Sequence, residues 1–251
     1  MKQVDYDSIA PAFDRRYEQQ RWASLEAVLR RFLAGCEDAA VGEVGCGTGH
    51  WLALFEGMAG EVFGIDLSWG MLAEAKRAVP RAHLARATAQ QLPWRDASMS
   101  RVFCVNALHH FPSPERFFRE CRRVLRPGGS FLTIALDPHT GTDAWWVYDY
   151  FPGALATDRE RYLSTGRIRE LLSREGFAGP ATTVAQHIAA AVPFGVARAR
   201  GLVDRRSTSQ LLLVSDAEFA DGVKRLEREQ PLLTTDLRLF ATTATVPARD
   251  S

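Results

Sequence analysis

The chain has 251 residues, of which 46% are hydrophobic, so it is long and apolar enough for one large α/β domain or a domain with a lid. Its 31 basic residues nearly balance 30 acidic ones. This balance excludes the strongly basic surface by which many proteins bind DNA or RNA, and we expect no nucleic-acid partner.

The cysteines and the apolar stretches indicate the compartment. No stretch approaches the roughly 18 uninterrupted apolar residues of a membrane span, and the first residues lack the apolar segment of a signal peptide. The cysteines show no paired spacing, which is typical of reduced thiols: Cys36, Cys46, Cys104 and Cys121. We therefore expect a cytoplasmic protein with no membrane partner, whose oligomeric state the sequence does not indicate.

Two helical patterns open the chain. Residues 6–17 mix aromatic and charged side chains, and Pro11 divides them into a turn and a short helix. The segment Trp22 to Leu33 has apolar residues at helical spacing and predicts a scaffold helix packed on a sheet. We expect residues 1–35 to form a cap and this helix.

A short apolar strand near Ala40 leads into three alternating glycines, Gly45, Gly47 and Gly49, which we call the glycine loop (Gly45–Gly49). Glycine tolerates positive φ and lets bare backbone approach a ligand, and helical apolar spacing follows over residues 51–58. A dinucleotide-binding fingerprint starting at Gly45 needs a glycine at position 50, which is His50. The spacing therefore favours a cofactor seat but disfavours NAD.

Strands and helices then alternate. A second strand, Glu61 to Ile65, is followed by Asp66, and Ser68 is a candidate N-cap for a helix over residues 71–79. A third strand near residues 82–87 follows. Right-handed crossovers make such a chain a parallel sheet with helices on both faces, and ligands bind at the carboxyl ends of its strands. We expect Glu43 and Asp66 to lie at that edge.

The alternation continues through two further strands. The fourth, Arg101 to Val105, leads to a helix over residues 113–124. A tight turn over residues 126–129 then precedes a fifth strand, Ser130 to Leu136.

These segments carry four ordered motifs over about half of the chain, and they resemble the class I S-adenosylmethionine-dependent methyltransferases with a type 11 domain. The motifs are Glu43 with the glycine loop and residues 64–68, then Gln91-Leu92-Pro93-Trp94, Asn106-Ala107-Leu108-His109-His110, and Arg123-Val124-Leu125-Arg126-Pro127-Gly128-Gly129. The resemblance implies a Rossmann-like sheet of seven mostly parallel strands with helices on both faces, plus an N-terminal cap and lid insertions. It also implies methyl transfer from S-adenosylmethionine to a small-molecule acceptor.

The resemblance assigns cofactor contacts residue by residue. Asp66 is expected to hold the ribose hydroxyls, and Glu43 to order the loop and face the cofactor's ammonium group. The turn after the third strand runs along the adenine, but here Thr88 stands at the family's acidic position. The full expected set is Glu43, Gly45, Cys46, Gly47, Gly49, Asp66, Leu67, Met71, Thr88, Ala89, Gln90 and Asn106, together with Tyr6 and Arg16.

Two histidines follow the fourth strand at the expected transfer site. A histidine can act as a general base near neutral pH, so His110 and, second to it, His109 are the catalytic candidates. Adjacent imidazoles do not make a tetrahedral ligand set, and we expect no metal. Alternatively, one of the two histidines makes a structural hydrogen bond and the other lines the pocket wall.

An aromatic segment (Trp145–Tyr150) interrupts the alternation after the fifth strand. The segment can roof the pocket or can hold down a lid or a dimer contact by its own packing. The substrate candidates are Trp145, Trp146, Tyr148, Tyr150 and His139.

The rest of the chain completes the sheet and adds a second insertion. A helix over residues 168–174 and a strand near 182–188 precede an insertion over 191–231, which contains an amphipathic helix at 216–228. A long strand over 236–246 ends the pattern.

We expect one methyltransferase domain over 1–251, with a cofactor-binding core at 36–137, lid insertions at 138–163 and 190–235, and the last strand at 236–246. Two alternatives stay open, a non-catalytic S-adenosylmethionine-binding protein and an NAD-dependent oxidoreductase.

Overall fold

The structure is a computed structural model that describes residues 22–248. Tyr6 and Arg16 lie outside the described residues. Within them the chain divides into two compact units. The larger unit contains 22–135, 165–185 and 240–248, and the smaller contains 136–164 and 186–239. The ranges of the smaller unit nearly coincide with the two expected insertions, and their role as a lid stays a prediction.

The strands and helices occupy most of the expected segments of the chain. The strands are β1 Ala40–Val44, β2 Glu61–Asp66, β3 His83–Arg86, β4 Met99–Val105, β5 Leu125–Leu136, β6 Ala144–Trp145, β7 Ala178–Pro193 and β8 Leu232–Thr245. The helices are α1 Ala23–Leu33, α2 Trp69–Ala78, α3 Pro114–Val124, α4 Trp146–Tyr150, α5 Pro152–Arg161, α6 Thr165–Arg174, α7 Phe194–Ala199, α8 Ser209–Leu213 and α9 Asp216–Glu229. Single 3₁₀ turns follow β1 and β4, at Leu52–Phe55 and Leu108–His110.

The described strands form one sheet in the order β3-β2-β1-β4-β5-β8-β6, with β7 paired to β8. Pairing is parallel for β1 with β2 and β4, for β2 with β3, and for β4 with β5, whereas β6 and β8 are antiparallel. The predicted mostly parallel α/β sheet is confirmed, with eight strands rather than seven because β6 adds a strand of two residues. Parallel pairing brings the carboxyl ends of β1, β2 and β4 to one edge.

Helix starts and faces follow from the sequence. Helix α1 buries Leu25, Leu29 and Leu33, whose spacing of four residues places them on one stripe. Helix α2 begins after Ser68, whose Oγ accepts the Met71 N–H at 3.0 Å, as predicted for an N-cap. Ser113 caps α3 in the same way, by accepting the Arg116 N–H at 3.3 Å.

Several expected boundaries are wrong. The helix predicted over 51–58 is only the 3₁₀ turn Leu52–Phe55, because Gly57 takes φ 84° and ends the turn. The turn predicted over 126–129 is an irregular part of β5, whose register against β4 shifts between Leu125 and Ser130. Strand β7 extends far beyond 182–188.

Buried polar side chains join the helices of the smaller unit. Asp158 Oδ1 accepts two hydrogen bonds from Arg161, at 2.9 and 2.8 Å. Its Oδ2 accepts the Tyr148 hydroxyl at 2.8 Å and Gln210 Nε2 at 2.9 Å. Because every lone pair of a buried carboxylate is costly to leave unmatched, this arrangement fixes α4, α5 and α8 to one another. Within residues 22–248, no helix combines the length and the apolar character needed to cross a membrane.

Candidate functional site

The glycine loop leaves β1 and turns back against β2. The backbone N–H groups of Gly45 and Cys46 both donate to Ile65 O, at 2.8 and 2.9 Å. Gly45 takes φ 74°, and a Cβ on it would lie 2.6 Å from the Cβ of Ala107. Only glycine fits there, so the loop and the end of β4 are in direct contact.

Asp66 joins the glycine loop to the start of α2. Its Oδ2 accepts the Gly47 N–H and its Oδ1 accepts the Ser68 N–H, both at 2.9 Å. An ionised carboxylate has about four lone-pair sites and accepts hydrogen bonds without donating any. Asp66 is half-buried, and it is thus held in one orientation at the carboxyl edge of the sheet.

Glu43 lies beneath this edge. Its side chain is buried, and Oε2 accepts no hydrogen bond from any residue in 22–248. Burial raises the pKa of this carboxyl well above its ordinary value of 4.5, and the negative charge of Asp66 raises it further. Burial likewise raises the pKa of the Cys46 thiol, with Glu43 and Asp66 adding to the effect. A cation placed here would favour the ionised form of Glu43.

The predicted adenine-side residues lie in the β3–β4 loop (87–98). Ala87 N–H donates to Asp66 O at 3.2 Å, which starts this loop beside the carboxylate. Thr88 is exposed, Ala89 is buried and Gln90 is half-buried. The structure therefore brings this loop to the same edge as the glycine loop.

Leu67 and Met71 lie on either side of Ser68 and have opposite environments. Leu67 is exposed, and its carbonyl accepts Arg86 Nε at 2.8 Å. The Met71 side chain is buried in the core beneath α2. It supports the helix start, and its contact with the cofactor stays a prediction.

The residues after β4 lie beside the glycine loop through the Gly45 to Ala107 contact. Asn106 is exposed at φ 50°, and its N–H donates to Ile134 O at 2.8 Å. His109 is buried, whereas His110 is half-buried, and their ring centroids are 3.9 Å apart. His110 is thus the more accessible of the two, and the role of either histidine as a base stays a prediction.

The aromatic segment belongs to the smaller unit and is extensively bonded there. Trp145 and Trp146 are buried. The Tyr148 hydroxyl donates to Asp158, and the Tyr150 hydroxyl donates to Glu229 Oε2 at 2.8 Å. Burial raises the pKa of the Tyr148 phenol, with Asp158 adding to the effect.

His139, the remaining substrate candidate, is also held within the smaller unit. Its Nε2 lies 2.8 Å from Tyr162 O, and its N–H donates to Asp137 Oδ1 at 3.1 Å. The Tyr148 and Tyr150 hydroxyls and His139 Nε2 are thus already bonded within their own unit.

An ion pair that holds the β3–β4 loop was not identified from the sequence. Glu120 and Arg123 of α3 bind the backbone of the β3–β4 loop. Their spacing of three residues on a helix signals an ion pair, but nothing local indicates that loop as its partner.

Comparison with known proteins agrees with this geometry. Residues 42–133 match the family model described as a methyltransferase domain. The chain is 32% identical over 182 residues to the malonyl-[acyl-carrier protein] O-methyltransferase of Enterobacter lignolyticus, an alignment that covers 69% of this chain and 70% of that protein.

Other relatives are matched over a shorter part of their length. The chain is 31% identical over 155 residues to a probable S-adenosylmethionine-dependent methyltransferase of Mycolicibacterium smegmatis, covering 61% of this chain and 57% of that protein. Two Mycobacterium tuberculosis proteins with the same kind of name are matched over 39% of their length.

A solved structure shares the fold. The YcgJ protein of Bacillus subtilis superimposes with a TM-score of 0.63 at 19% identity, over 90% of this chain and 99% of that chain. At this identity the likeness concerns the fold alone. The Enterobacter alignment and the match to the methyltransferase family model show that the chain belongs to the class I S-adenosylmethionine-dependent methyltransferases, and the shared fold agrees with this.

Proposed function

We propose that this protein transfers a methyl group from S-adenosylmethionine to a small-molecule acceptor. The observation that carries the proposal is the junction of Gly47 and Asp66, where bare loop backbone and an oriented carboxylate meet at the carboxyl ends of β1 and β2. Membership of the family supports it.

The residues present fit the chemistry of this cofactor. S-adenosylmethionine carries no phosphate, so the glycine loop needs only to let backbone lie along the sugar and the amino-acid portion. Asp66 matches two vicinal ribose hydroxyls through charge-assisted hydrogen bonds. Glu43 lies at the same edge and its ionised form would complement a cation.

The remaining contacts extend along the same edge. Thr88 offers a hydroxyl acceptor to an exocyclic amine, in place of the family's carboxylate. The proposed cofactor set among the described residues is Glu43, Gly45, Cys46, Gly47, Gly49, Asp66, Leu67, Met71, Thr88, Ala89, Gln90 and Asn106.

Methyl transfer makes few covalent demands on these side chains. The bound sulfonium supplies an electrophilic methyl group. The chain's task is to orient the acceptor in line with that methyl and to exclude water, and such positioning can supply much of a rate enhancement. Where the acceptor is protonated, His110 is the proposed base, with His109 as the alternative.

The acceptor contacts are proposed within the smaller unit. Because the phenols of Tyr148 and Tyr150 are bonded to Asp158 and Glu229, these residues would offer their ring faces rather than their hydroxyls. Trp145, Trp146 and His139 complete the proposed acceptor set. An aromatic or apolar acceptor suits such faces.

Calorimetry with S-adenosylmethionine, S-adenosylhomocysteine and NADH tests the cofactor. Binding of the first two without the third supports the proposal, whereas binding of NADH alone would favour an oxidoreductase. Mass spectrometry then follows a gain of one methyl group over a panel of acceptors. The panel includes a malonyl thioester, after the reaction named for the Enterobacter relative. Cofactor binding with no methylated product from any acceptor would favour a non-catalytic binder.

A paired substitution tests the glycine loop. Gly47 takes φ 52° and Gly57 takes φ 84°, and a Cβ on Gly57 would meet no atom within 4 Å. Gly47→Val should abolish S-adenosylhomocysteine binding, because a side chain then occupies the backbone surface offered to the ligand. Gly57→Val carries the same backbone strain away from the site and should bind normally. Normal binding by Gly47→Val would exclude the loop as the cofactor seat.

A cytoplasmic location is part of the proposal. It is supported by the four cysteines, all of which are buried as free thiols.

A further inference from the structure

Helix α3 holds the β3–β4 loop by a compact set of hydrogen bonds within the larger unit. Arg123 donates from Nη2 to Leu92 O at 3.0 Å and from Nη1 to Trp94 O at 2.9 Å. Its Nη1 also donates to Asp96 Oδ1 at 2.7 Å. One guanidinium thus binds two carbonyls and a carboxylate of this loop.

Glu120 completes the arrangement. Its two oxygens accept Arg123 Nε at 2.8 Å and Nη2 at 2.7 Å, which is the bidentate geometry of a strong ion pair. Its Oε2 also accepts the Leu92 N–H at 2.8 Å. Both backbone groups of Leu92 are therefore bound by the Glu120–Arg123 pair, and the hydrogen bonds from Arg123 lower the pKa of Glu120.

Packing fixes the same end of the loop. The Trp94 ring lies against Gly42 of β1, where a Cβ would come within 2.5 Å of the ring. Leu92 is buried. At the other end, Ala87 is held by Asp66 O. Only residues 88–91 bridge these two fixed points, and they include the proposed adenine contacts.

We propose that the Glu120–Arg123 pair positions residues 88–91 for adenine recognition, so that these two side chains set the discrimination between adenine and other bases without touching the ligand. This inference rests on the proposed function. The residue at the family's acidic position is Thr88, so recognition of the exocyclic amine depends on a short hydroxyl and on the backbone of Ala89. Hydrogen bonds from such groups require accurate placement, because their strength falls steeply with distance and angle.

The test compares two ligands that differ only in the base. S-adenosylhomocysteine carries the exocyclic amine, and S-inosylhomocysteine carries an oxo group in its place. Competition against labelled S-adenosylmethionine gives both dissociation constants, and their ratio measures base discrimination. The wild-type chain should prefer the adenine ligand.

Arg123→Lys keeps the charge but loses the planar fork that binds Glu120 and two carbonyls together. We expect it to lower the ratio by about tenfold, the scale of one hydrogen bond to a charged group, mainly by weakening S-adenosylhomocysteine binding. Glu120→Gln retains an oxygen for the Leu92 N–H and should lower the ratio by a smaller factor. If Arg123→Lys does not fold, as judged by thermal unfolding, Glu120→Gln decides the question.

Arg119→Lys is the matched control. Arg119 lies on the same helix, and its substitution loses an equivalent bidentate pair with Glu175, which lies 3.2 Å from both nitrogens. Glu175 directly follows α6 and lies outside the β3–β4 loop. The ratio in Arg119→Lys should equal the wild-type ratio.

Two outcomes would overturn the inference: an unchanged ratio in Arg123→Lys, including the case where both ligands lose affinity equally, or an equal fall of the ratio in Arg119→Lys. Failure of the wild-type chain to bind either ligand would instead overturn the proposed function and this inference with it.

Discussion

The glycine loop and the aromatic segment are both proposed to face ligands, but different chemistry holds them in place. The loop is fixed through its own backbone, by Ile65 O and Asp66, and both partners lie on the next strand. The aromatic segment is fixed through side chains, by Asp158 and Glu229, which are 10 and 79 residues away from their tyrosines. The first region therefore depends on a local pattern, and the second depends on particular distant side chains.

Removing the buried Asp158 carboxylate from the smaller unit should have the largest effect on stability. Asp158→Ala leaves the buried Arg161 without its anionic partner and should lower the free energy of unfolding by about 3–5 kcal/mol. Urea denaturation followed by circular dichroism measures this. Asp149→Ala, at an exposed site on α4, should change little.

Measuring cofactor affinity in the same variant tests whether the glycine loop and the aromatic segment are independent. If Asp158→Ala also weakens S-adenosylhomocysteine binding in protein that is still folded, the two regions are not independent. A stability loss as small as that of Asp149→Ala would instead show that the buried network does not hold the smaller unit.

Asp66→Ala should affect cofactor affinity, whereas Asp158→Ala should affect stability. Asp66→Ala should weaken S-adenosylhomocysteine binding by about 1.5–3 kcal/mol, the range for hydrogen bonds to a charged group. Calorimetry compares it with Asp38→Ala, at an exposed site before β1, for which we expect wild-type affinity. Unchanged affinity in folded Asp66→Ala would remove the ribose assignment.

Glu43 predicts a pH dependence. The pKa of Glu43 is raised in the folded state, so above pH 4.5 the folded protein binds more protons than the unfolded chain. The stability that protonated Glu43 contributes at low pH is therefore lost as pH rises through the folded-state pKa. The stability of Glu43→Gln relative to wild type should therefore increase with pH, by at most about 1.4 kcal/mol per pH unit. Thermal unfolding across a pH series measures this difference. If the stability difference between Glu43→Gln and wild type does not vary with pH, the pKa of Glu43 is not raised in the folded state.

Ser68→Ala should have the smallest effect. It removes the cap of α2 at a cost of about 1 kcal/mol in unfolding free energy, but it retains the N–H that binds Asp66. Stability should fall while S-adenosylhomocysteine affinity stays within twofold of wild type. Ser113→Ala removes the corresponding cap of α3 and serves as the reference. A large loss of affinity in Ser68→Ala alone would mean that its hydroxyl contacts the ligand.

The sequence predicted the features that depend on local chemistry. Glycine spacing, the Ser68 cap and the carboxylate at the end of β2 can all be recognised within a few residues, and the parallel sheet follows from the alternation around them. Apolar spacing predicted a helix over 51–58, because a 3₁₀ turn that buries Trp51, Leu52 and Phe55 needs almost the same pattern.

Features that join distant residues were not predictable. The bonds from Gln210 to Asp158 and from Arg123 to Leu92 link positions 52 and 31 residues apart. Strand β7 was underestimated because many of its residues are exposed, so hydrophobic alternation did not mark its full length.

The contact between Gly45 and Ala107 has an evolutionary consequence. With so little space between the loop and the end of β4, a side chain at position 45 would overlap the Ala107 Cβ, and position 45, already glycine, has no side chain to remove in exchange for a larger residue at 107. The two positions lie 62 residues apart along the chain, yet neither can change alone to a larger residue. Divergence of this chain towards a new acceptor is therefore expected to proceed through side chains elsewhere, with this pair of small residues inherited together.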